Sequence, residues 1–212
     1  CTGGLGDRAL EGAVIAELLH LATLLHDDVI DDAPERRGQR TSRLVWGNGI
    51  SVLAGDLMLV HALERAQRLG CAETSSEMIE TLRALVDGEI VQMRGRTRID
   101  ASLETYERVV RGKTASLFRW AMRAGARTSG AAPHVVELLG KVGEHLGVAY
   151  QVIDDVLDVD GDPSATGKAL FTDVAEGKLA LPLLLHVRDV PSALGLVERV
   201  RSGDAQAALD LA

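Results

Sequence analysis

Over residues 7–33 the chain carries apolar side chains on nearly every side of a helical projection, with Leu18, Leu19, Leu21, Ala22, Leu24 and Leu25 surrounding the axis, and the run ends in acid at Asp27, Asp28, Asp31 and Asp32. A helix that is apolar all round must be enclosed by other elements. The sequence supplies candidates: 51–69, 75–93, 102–110, 114–128 and 133–157 each repeat apolar residues at three- and four-residue intervals, punctuated by Gly, Pro and Ser. No alternating strand pattern is evident, and aromatic residues make up only 3%, thin for a sheet core. The expected fold is therefore all-α, a helical bundle in one domain over residues 1–212.

The first helix should stop before Pro34, which disfavours helix in the residue preceding it. A basic turn follows, Glu35-Arg36-Arg37-Gly38-Gln39-Arg40. Residues 161–167 read as a loop, 179–187 with Pro182 as a short or kinked helix, and the remainder as amphipathic. The chain opens at Cys1 without a methionine and stops in a helix-like run, so segments are expected to be missing at both ends. No stretch approaches the roughly 18 consecutive apolar residues of a spanning helix, and no charged and apolar leader precedes the first helix. The only cysteines, Cys1 and Cys71, offer neither a disulfide framework nor zinc spacing, which favours a cytoplasmic setting.

Hydrophobic residues at 46% and charged residues at 25% are ordinary for a soluble globular protein. With 23 basic and 31 acidic side chains the formal net charge is −8, a poor balance for binding nucleic acid. The acid is concentrated in two places, Asp27 to Glu35 and Asp154 to Asp162; elsewhere the chain is slightly basic.

Asp27-Asp28-x-x-Asp31 and Asp154-Asp155-x-x-Asp158 share one spacing, each at the end of an apolar helix. Positions four apart share a helix face, so Asp27 should align with Asp31, Asp28 with Asp32, and Asp154 with Asp158. Carboxylates there oppose the helix dipole, at a cost of a few tenths to about 1 kcal/mol each, and adjacent like charges repel. Divalent cations remove both penalties. Ligation by carboxylate alone suits a hard ion such as Mg²⁺, which keeps several waters and shares its shell with phosphates. The nearby bases complete an anion site: Arg36 and Arg37 beyond the first cluster, Lys113-Thr114 at an expected helix start, and Lys168 and Lys178 beyond the second.

These residues resemble the trans-isoprenyl diphosphate synthase, or polyprenyl synthetase, family. The likeness runs through His20 to Gly38, Ala54-Gly55-Asp56, Gly88-Glu89 with Gln92, Gly112-Lys113-Thr114, and Gln151 to Leu184. It implies a bundle around a deep central cavity, of isoprenoid synthase type, in which the two aspartate motifs hold three Mg²⁺ ions on an allylic diphosphate. Asp27 and Asp31 would bind two ions and Asp154 the third, with Asp28, Asp155 and Asp158 in support. Arg36, Lys113, Thr114, Gln151, Lys168 and Lys178 would hold the allylic diphosphate; His20 and Arg37 would belong to the isopentenyl diphosphate site. Asp27, Asp31, Lys113, Asp154 and Lys168 would carry the catalysis. Asp56 and Gln92 could equally be buried polar residues satisfying helix contacts. The upstream Gly-Gly-Lys-x-Arg-Pro element of the family is absent, since Leu5 follows Gly3-Gly4.

The family's reaction is condensation of an allylic diphosphate with isopentenyl diphosphate, and its members are commonly homodimers. A long prenyl product would partition into membrane. Bulky residues four or five positions before the first aspartate close the cavity in short-chain members; here those positions are Thr23 and Ala22, with Leu19 a turn deeper, so a product longer than fifteen carbons is expected. Met58 or Phe118 could close the tunnel further down. The alternatives are a class I terpene cyclase, whose second metal motif normally carries Asn, Ser or Thr and Glu, and a non-catalytic partner subunit, which tends to lose an aspartate motif.

Overall fold

The computed structural model describes residues 6–36, 38–95, 99–161, 170–204, 206–207 and 210. They form α1 (Asp7–Ile30), a two-stranded hairpin of β1 (Glu35–Arg36) and β2 (Gln39–Arg40), α2 (Ser42–Trp46), α3 (Asn48–Arg68), α4 (Ala72–Gly95) and α5 (Leu103–Val109). A π-helical segment, Val110–Ala115, leads into α6 (Ser116–Thr128), followed by α7 (Pro133–Asp160), α8 (Thr172–Ala175), α9 (Leu181–Asp189), a 3₁₀ turn at Pro191–Ala193 and α10 (Leu194–Arg201). The expected helices are present, so the described residues are all-α apart from the hairpin, which lies where the sequence places a basic turn.

Local chemistry accounts for several boundaries. Asp7 occupies the first turn of α1, the favourable end for a carboxylate. The Ser102 hydroxyl accepts the Thr105 N–H and caps α5. Pro182 starts α9 rather than kinking it, because a proline in the first turn gives up only an N–H with no intrahelical partner.

The chain divides into two compact units, each assembled from separated stretches: Cys1–Arg83 with Leu117–Glu144, and Ala84–Ser116 with His145–Ala212. In the first, α1 packs along α3. Its core joins Ile15, Leu19, Ala62, Ala66, Leu69, Met78, Trp120 and Ala124. Trp120 is the largest fully buried side chain, and its indole N–H donates to the Thr74 carbonyl at 3.1 Å. Glu77 is clamped by the Arg123 and Arg127 guanidiniums at 2.7 Å each; burial opposes its ionisation, but the two forks hold its carboxyl below the usual range. The second unit centres on Phe171, Val174, Leu183, Val187 and Val197.

By length and composition alone α1 could cross a membrane, since its most apolar window has a mean hydropathy of 1.3. Here it is a helix of the first unit, lying along α3 with aspartates at its end.

Candidate active site

The first aspartate cluster closes α1. The helix ends at Ile30, and Asp31 is its C-cap, with its N–H on the Asp27 carbonyl at 2.7 Å. Asp32 lies outside the helix with φ +54°, so it does not stand over Asp28 as the four-residue spacing predicts. The turn that follows explains the difference. The Ala33 N–H returns to the Asp28 carbonyl at 3.0 Å, and the buried Thr41 hydroxyl donates to the Ala33 carbonyl at 2.7 Å. Arg43 Nη1 donates to the Asp32 and Ala33 carbonyls at 3.0 and 3.2 Å, and its Nη2 pairs with the Asp32 carboxylate.

Arg36 Nε donates to Asp28 Oδ1 at 2.7 Å, and Asp28 is only 4% exposed. Two guanidiniums from beyond α1 thus offset the negative helix end at Asp28 and Asp32. Asp27 and Asp31 are half-buried, and Asp32 is exposed.

Gly55 determines how α1 meets α3. A Cβ there would lie 2.4 Å from His26 Nε2 and 3.1 Å from the Ala22 carbonyl, so only glycine lets the helices cross so closely. His26 Nε2 lies 3.2 Å from the Val52 carbonyl and 3.3 Å from Asp56 Oδ1. Asp56 is therefore not the buried polar residue that the sequence allows; its side chain is 57% exposed.

The chain-length positions separate. Leu19 belongs to the packed core of its unit, and Ala22 is fully buried beside the α1–α3 crossing. Of the three, Thr23 alone keeps some exposure, and its hydroxyl donates to the His20 carbonyl at 2.8 Å. His20 is half-buried one turn earlier.

The second cluster has a parallel division. Asp155 is 3% exposed and accepts from the Tyr106 hydroxyl at 2.7 Å, the Leu181 N–H at 2.9 Å and Gln151 Nε2 at 2.9 Å. Asp158, 8% exposed, accepts from the Asp173 N–H at 3.2 Å. Asp154 is half-buried, and its side chain has no hydrogen bond or ion pair among the described residues. Tyr106 and Asp173 are contributors that the motif reading misses. A tyrosine seven residues before Lys113 carries no metal or phosphate signal, and Asp173 stands outside the repeated spacing. Burial and then the neighbouring Asp158 carboxylate push Asp173 up to about 7, against the pull of Lys178. Burial and Asp155 push the Tyr106 hydroxyl well above its usual range, keeping it a donor.

Lys113 and Thr114 do not open a helix, as the sequence suggests. They lie in the π segment between α5 and α6, so no free N-terminal N–H groups gather there. Two glycines make close contact there: a Cβ on Gly88 would lie 2.9 Å from the Lys113 nitrogen, and one on Gly112 would lie 2.8 Å from the Ala84 carbonyl. α4 therefore presses against the π segment. Lys113 Nζ donates to Gln92 Oε1 at 2.9 Å and pairs with Glu89, which explains why those residues accompany it. Thr114 Oγ1 donates to Gln151 Oε1 at 2.8 Å, and Lys178 pairs with Glu176 at 2.6 Å. Arg37 and Lys168 lie outside the described residues.

These residues fit a hard cation that shares its ligands. Burial, and then the Asp158 and Asp155 carboxylates, raise the Asp173 carboxyl, a balance that a divalent ion would reverse. Among the described residues, no three His, Cys, Asp or Glu side chains form a ready-made metal cage. An ion on either platform would complete its shell with water and phosphate oxygens, as Mg²⁺ commonly does.

An all-helical fold with two carboxylate-ended helices defines the isoprenoid synthase class, and solved structures of that class superpose on nearly the whole chain. The polyprenyl synthase from Caulobacter crescentus CB15, complexed with calcium and isoprenyl diphosphate, covers 99% of this chain at a TM-score of 0.90 and 33% identity, with 65% of its own length matched. Residues 4–208 match the polyprenyl synthetase family, and the chain belongs to it. It is similar to nonaprenyl diphosphate synthase of Mycobacterium tuberculosis, 42% identical over 178 residues (84% of this chain and 52% of that protein). Heptaprenyl diphosphate synthase component 2 of Geobacillus stearothermophilus is 37% identical over 183 residues, covering 86% of this chain and 57% of that protein. The chain thus spans about half the length of the curated relatives it matches.

Proposed function

We propose that the protein is a Mg²⁺-dependent trans-prenyltransferase that joins an allylic diphosphate to isopentenyl diphosphate and gives a polyprenyl diphosphate longer than fifteen carbons. The observation that carries this reading is the division within both aspartate clusters: a buried, hydrogen-bonded second aspartate beside a first aspartate left half-exposed. Stability accounts for Asp28 and Asp155, whereas Asp27 and Asp31 at the negative end of α1, and Asp154 beside Asp155, stand where a cationic ligand is favoured. Relatives named nonaprenyl and octaprenyl diphosphate synthases support a long product.

In this reading Asp27, Asp31 and Asp154 hold the ions, three with substrate bound, and Asp28, Asp155 and Asp158 orient that set. Bound Mg²⁺ supplies Lewis-acid charge to the diphosphate oxygens. Arg36, Lys113, Lys168 and Lys178 add counter-charge as the allylic C–O bond breaks, with Thr114 and Gln151 fixing the diphosphate end. The isopentenyl double bond, its diphosphate held by His20 and Arg37, supplies the electron pair for the new C–C bond. Proton loss to the departed diphosphate restores a double bond. A cytoplasmic homodimer fits this scheme, supported by the exposed apolar stripe Leu53, Leu57 and Val60 on α3.

A partner-subunit role is the second reading, favoured by the relative named a synthase component. Retention of both aspartate clusters supports catalysis instead. Full-length protein with geranyl or farnesyl diphosphate and isopentenyl diphosphate should release diphosphate, stop on chelation and resume with added Mg²⁺. Turnover that is indifferent to chelator contradicts the reading.

Chain length gives a sharper prediction. Thr23→Phe should shorten the product while condensation continues, because position 23 is half-buried one turn below Asp27. Ala22→Phe should instead lower the thermal midpoint, since an aromatic ring beside the α1–α3 crossing overpacks it by about 1–3 kcal/mol. Mass analysis of products and a melting curve for each variant separate the two effects.

A further inference from the structure

We propose that Tyr106 is a positioning residue for the allylic-diphosphate end of the site, acting through Asp155 and Gln151 on the Thr114 hydroxyl. The inference deepens the function proposed above and rests on it.

The chain of hydrogen bonds has one consistent direction. Asp155, as a carboxylate, accepts only. Its Oδ2 takes the Tyr106 hydroxyl at 2.7 Å and the Leu181 N–H at 2.9 Å, and its Oδ1 takes Gln151 Nε2 at 2.9 Å. An amide group facing a carboxylate must present its NH₂, so Gln151 turns its carbonyl the other way. That carbonyl accepts from Thr114 Oγ1 at 2.8 Å. A threonine hydroxyl has one proton, and here Gln151 takes it. The orientation of Thr114, beside Lys113 in the π segment, is thereby set by a carboxylate on α7 and a phenol on α5.

Tyr106 fixes the far end of this chain. Asp155 is 3% exposed, so no bulk water stands ready to replace a lost donor. Without the phenol hydroxyl, Asp155 keeps the Leu181 N–H and the Gln151 amide but loses one of the two donors that hold Oδ2, so the carboxylate is held less firmly. Gln151 follows the carboxylate, and Thr114 follows Gln151. Asp154, the adjacent residue, continues the same helix, so the effect is expected at the diphosphate end and not at the isopentenyl site.

The test is binding of an unreactive allylic thiolodiphosphate with Mg²⁺, measured by calorimetry on the full-length protein alongside steady-state kinetics. Tyr106→Phe should weaken the analogue and lower kcat, each by about ten-fold, and leave KM for isopentenyl diphosphate within about two-fold. On a Gln151→Leu background, where the link is cut, the same change should cost less than about two-fold. An unchanged Tyr106→Phe protein, or a cost that persists in full on the Gln151→Leu background, overturns the inference. If Tyr106→Phe does not fold, Gln151→Leu and Thr114→Val probe the other end: the double variant should bind the analogue no worse than the weaker single one, and independent losses overturn the inference. A wild-type protein that neither binds the analogue nor condenses the two diphosphates fails the functional reading itself, whatever Tyr106 does.

Discussion

Asp27→Ala, Asp31→Ala and Asp154→Ala should each lower kcat by about a thousandfold or more with no loss of thermal stability. The first half of this expectation follows from the proposed chemistry, in which these carboxylates hold the ions that neutralise the leaving diphosphate. The second half follows from the structure. All three are half-buried, Asp27 and Asp31 at the C-terminal end of α1 and Asp154 six residues before the end of α7, and neither helix has a basic residue in its last turn. Removing Asp27 or Asp31 relieves an unfavourable dipole interaction of up to about 1 kcal/mol, and removing Asp154 takes a charge away from beside the buried Asp155 and Asp158.

Asp28→Ala and Asp155→Ala provide the contrast. Asp28 pairs with Arg36 and Asp155 holds three donors, so truncation leaves part-buried donors unpaired, at about 1–3 kcal/mol for Asp155 and less for Asp28, whose partner is 38% exposed. Their melting temperatures should fall by several degrees, since 1 kcal/mol is about 2–4 °C for a chain of this size. Melting curves and kcat measured on the five variants should therefore fall into two groups. If Asp27→Ala or Asp154→Ala unfolds as readily as Asp155→Ala, these carboxylates are structural.

Gly112→Ala should be nearly as damaging to turnover as an aspartate variant, though it removes no chemical group. The added Cβ would lie 2.8 Å from the Ala84 carbonyl and 3.4 Å from the Gly88 Cα, and backbone cannot swing aside as a side chain can. The π segment must move off α4, taking Lys113 and Thr114 with it. Displacing positioning groups by even about 1 Å can cost about a hundredfold in rate, and overpacking should lower stability by about 1–3 kcal/mol. Gly125→Ala is the control. It lies in α6 with open space around its Cβ position, so it should be neutral or slightly stabilising. If Gly112→Ala retains wild-type kcat, the close approach of α4 does not set the position of Lys113.

The helices were legible because their apolar spacing is strong and their boundaries carry Gly, Pro and Ser; the aspartate platforms were legible because carboxylates at apolar helix ends oppose the dipole. Three features were not. The hairpin at β1 and β2 has two-residue strands, too short for any alternation to register. The π segment lies where Gly88 and Gly112 meet, residues far apart in sequence whose closeness no local pattern encodes. The turn that carries Asp32 out of α1 depends on Thr41 and Arg43, which arrive from the other side of the hairpin. A count along α1 likewise does not show that Leu19 packs in the core and Ala22 beside the α1–α3 crossing.

The central claim is iterative five-carbon addition at an aspartate-held diphosphate. Its most direct test is mass analysis of the prenyl chains made by full-length protein from farnesyl and isopentenyl diphosphates with Mg²⁺, isopentenyl diphosphate being in excess. The account predicts a ladder of products differing by one isoprene unit and ending beyond farnesyl, abolished in Asp154→Ala. A cyclic hydrocarbon formed without isopentenyl diphosphate, or no growth beyond the farnesyl starter, would contradict it.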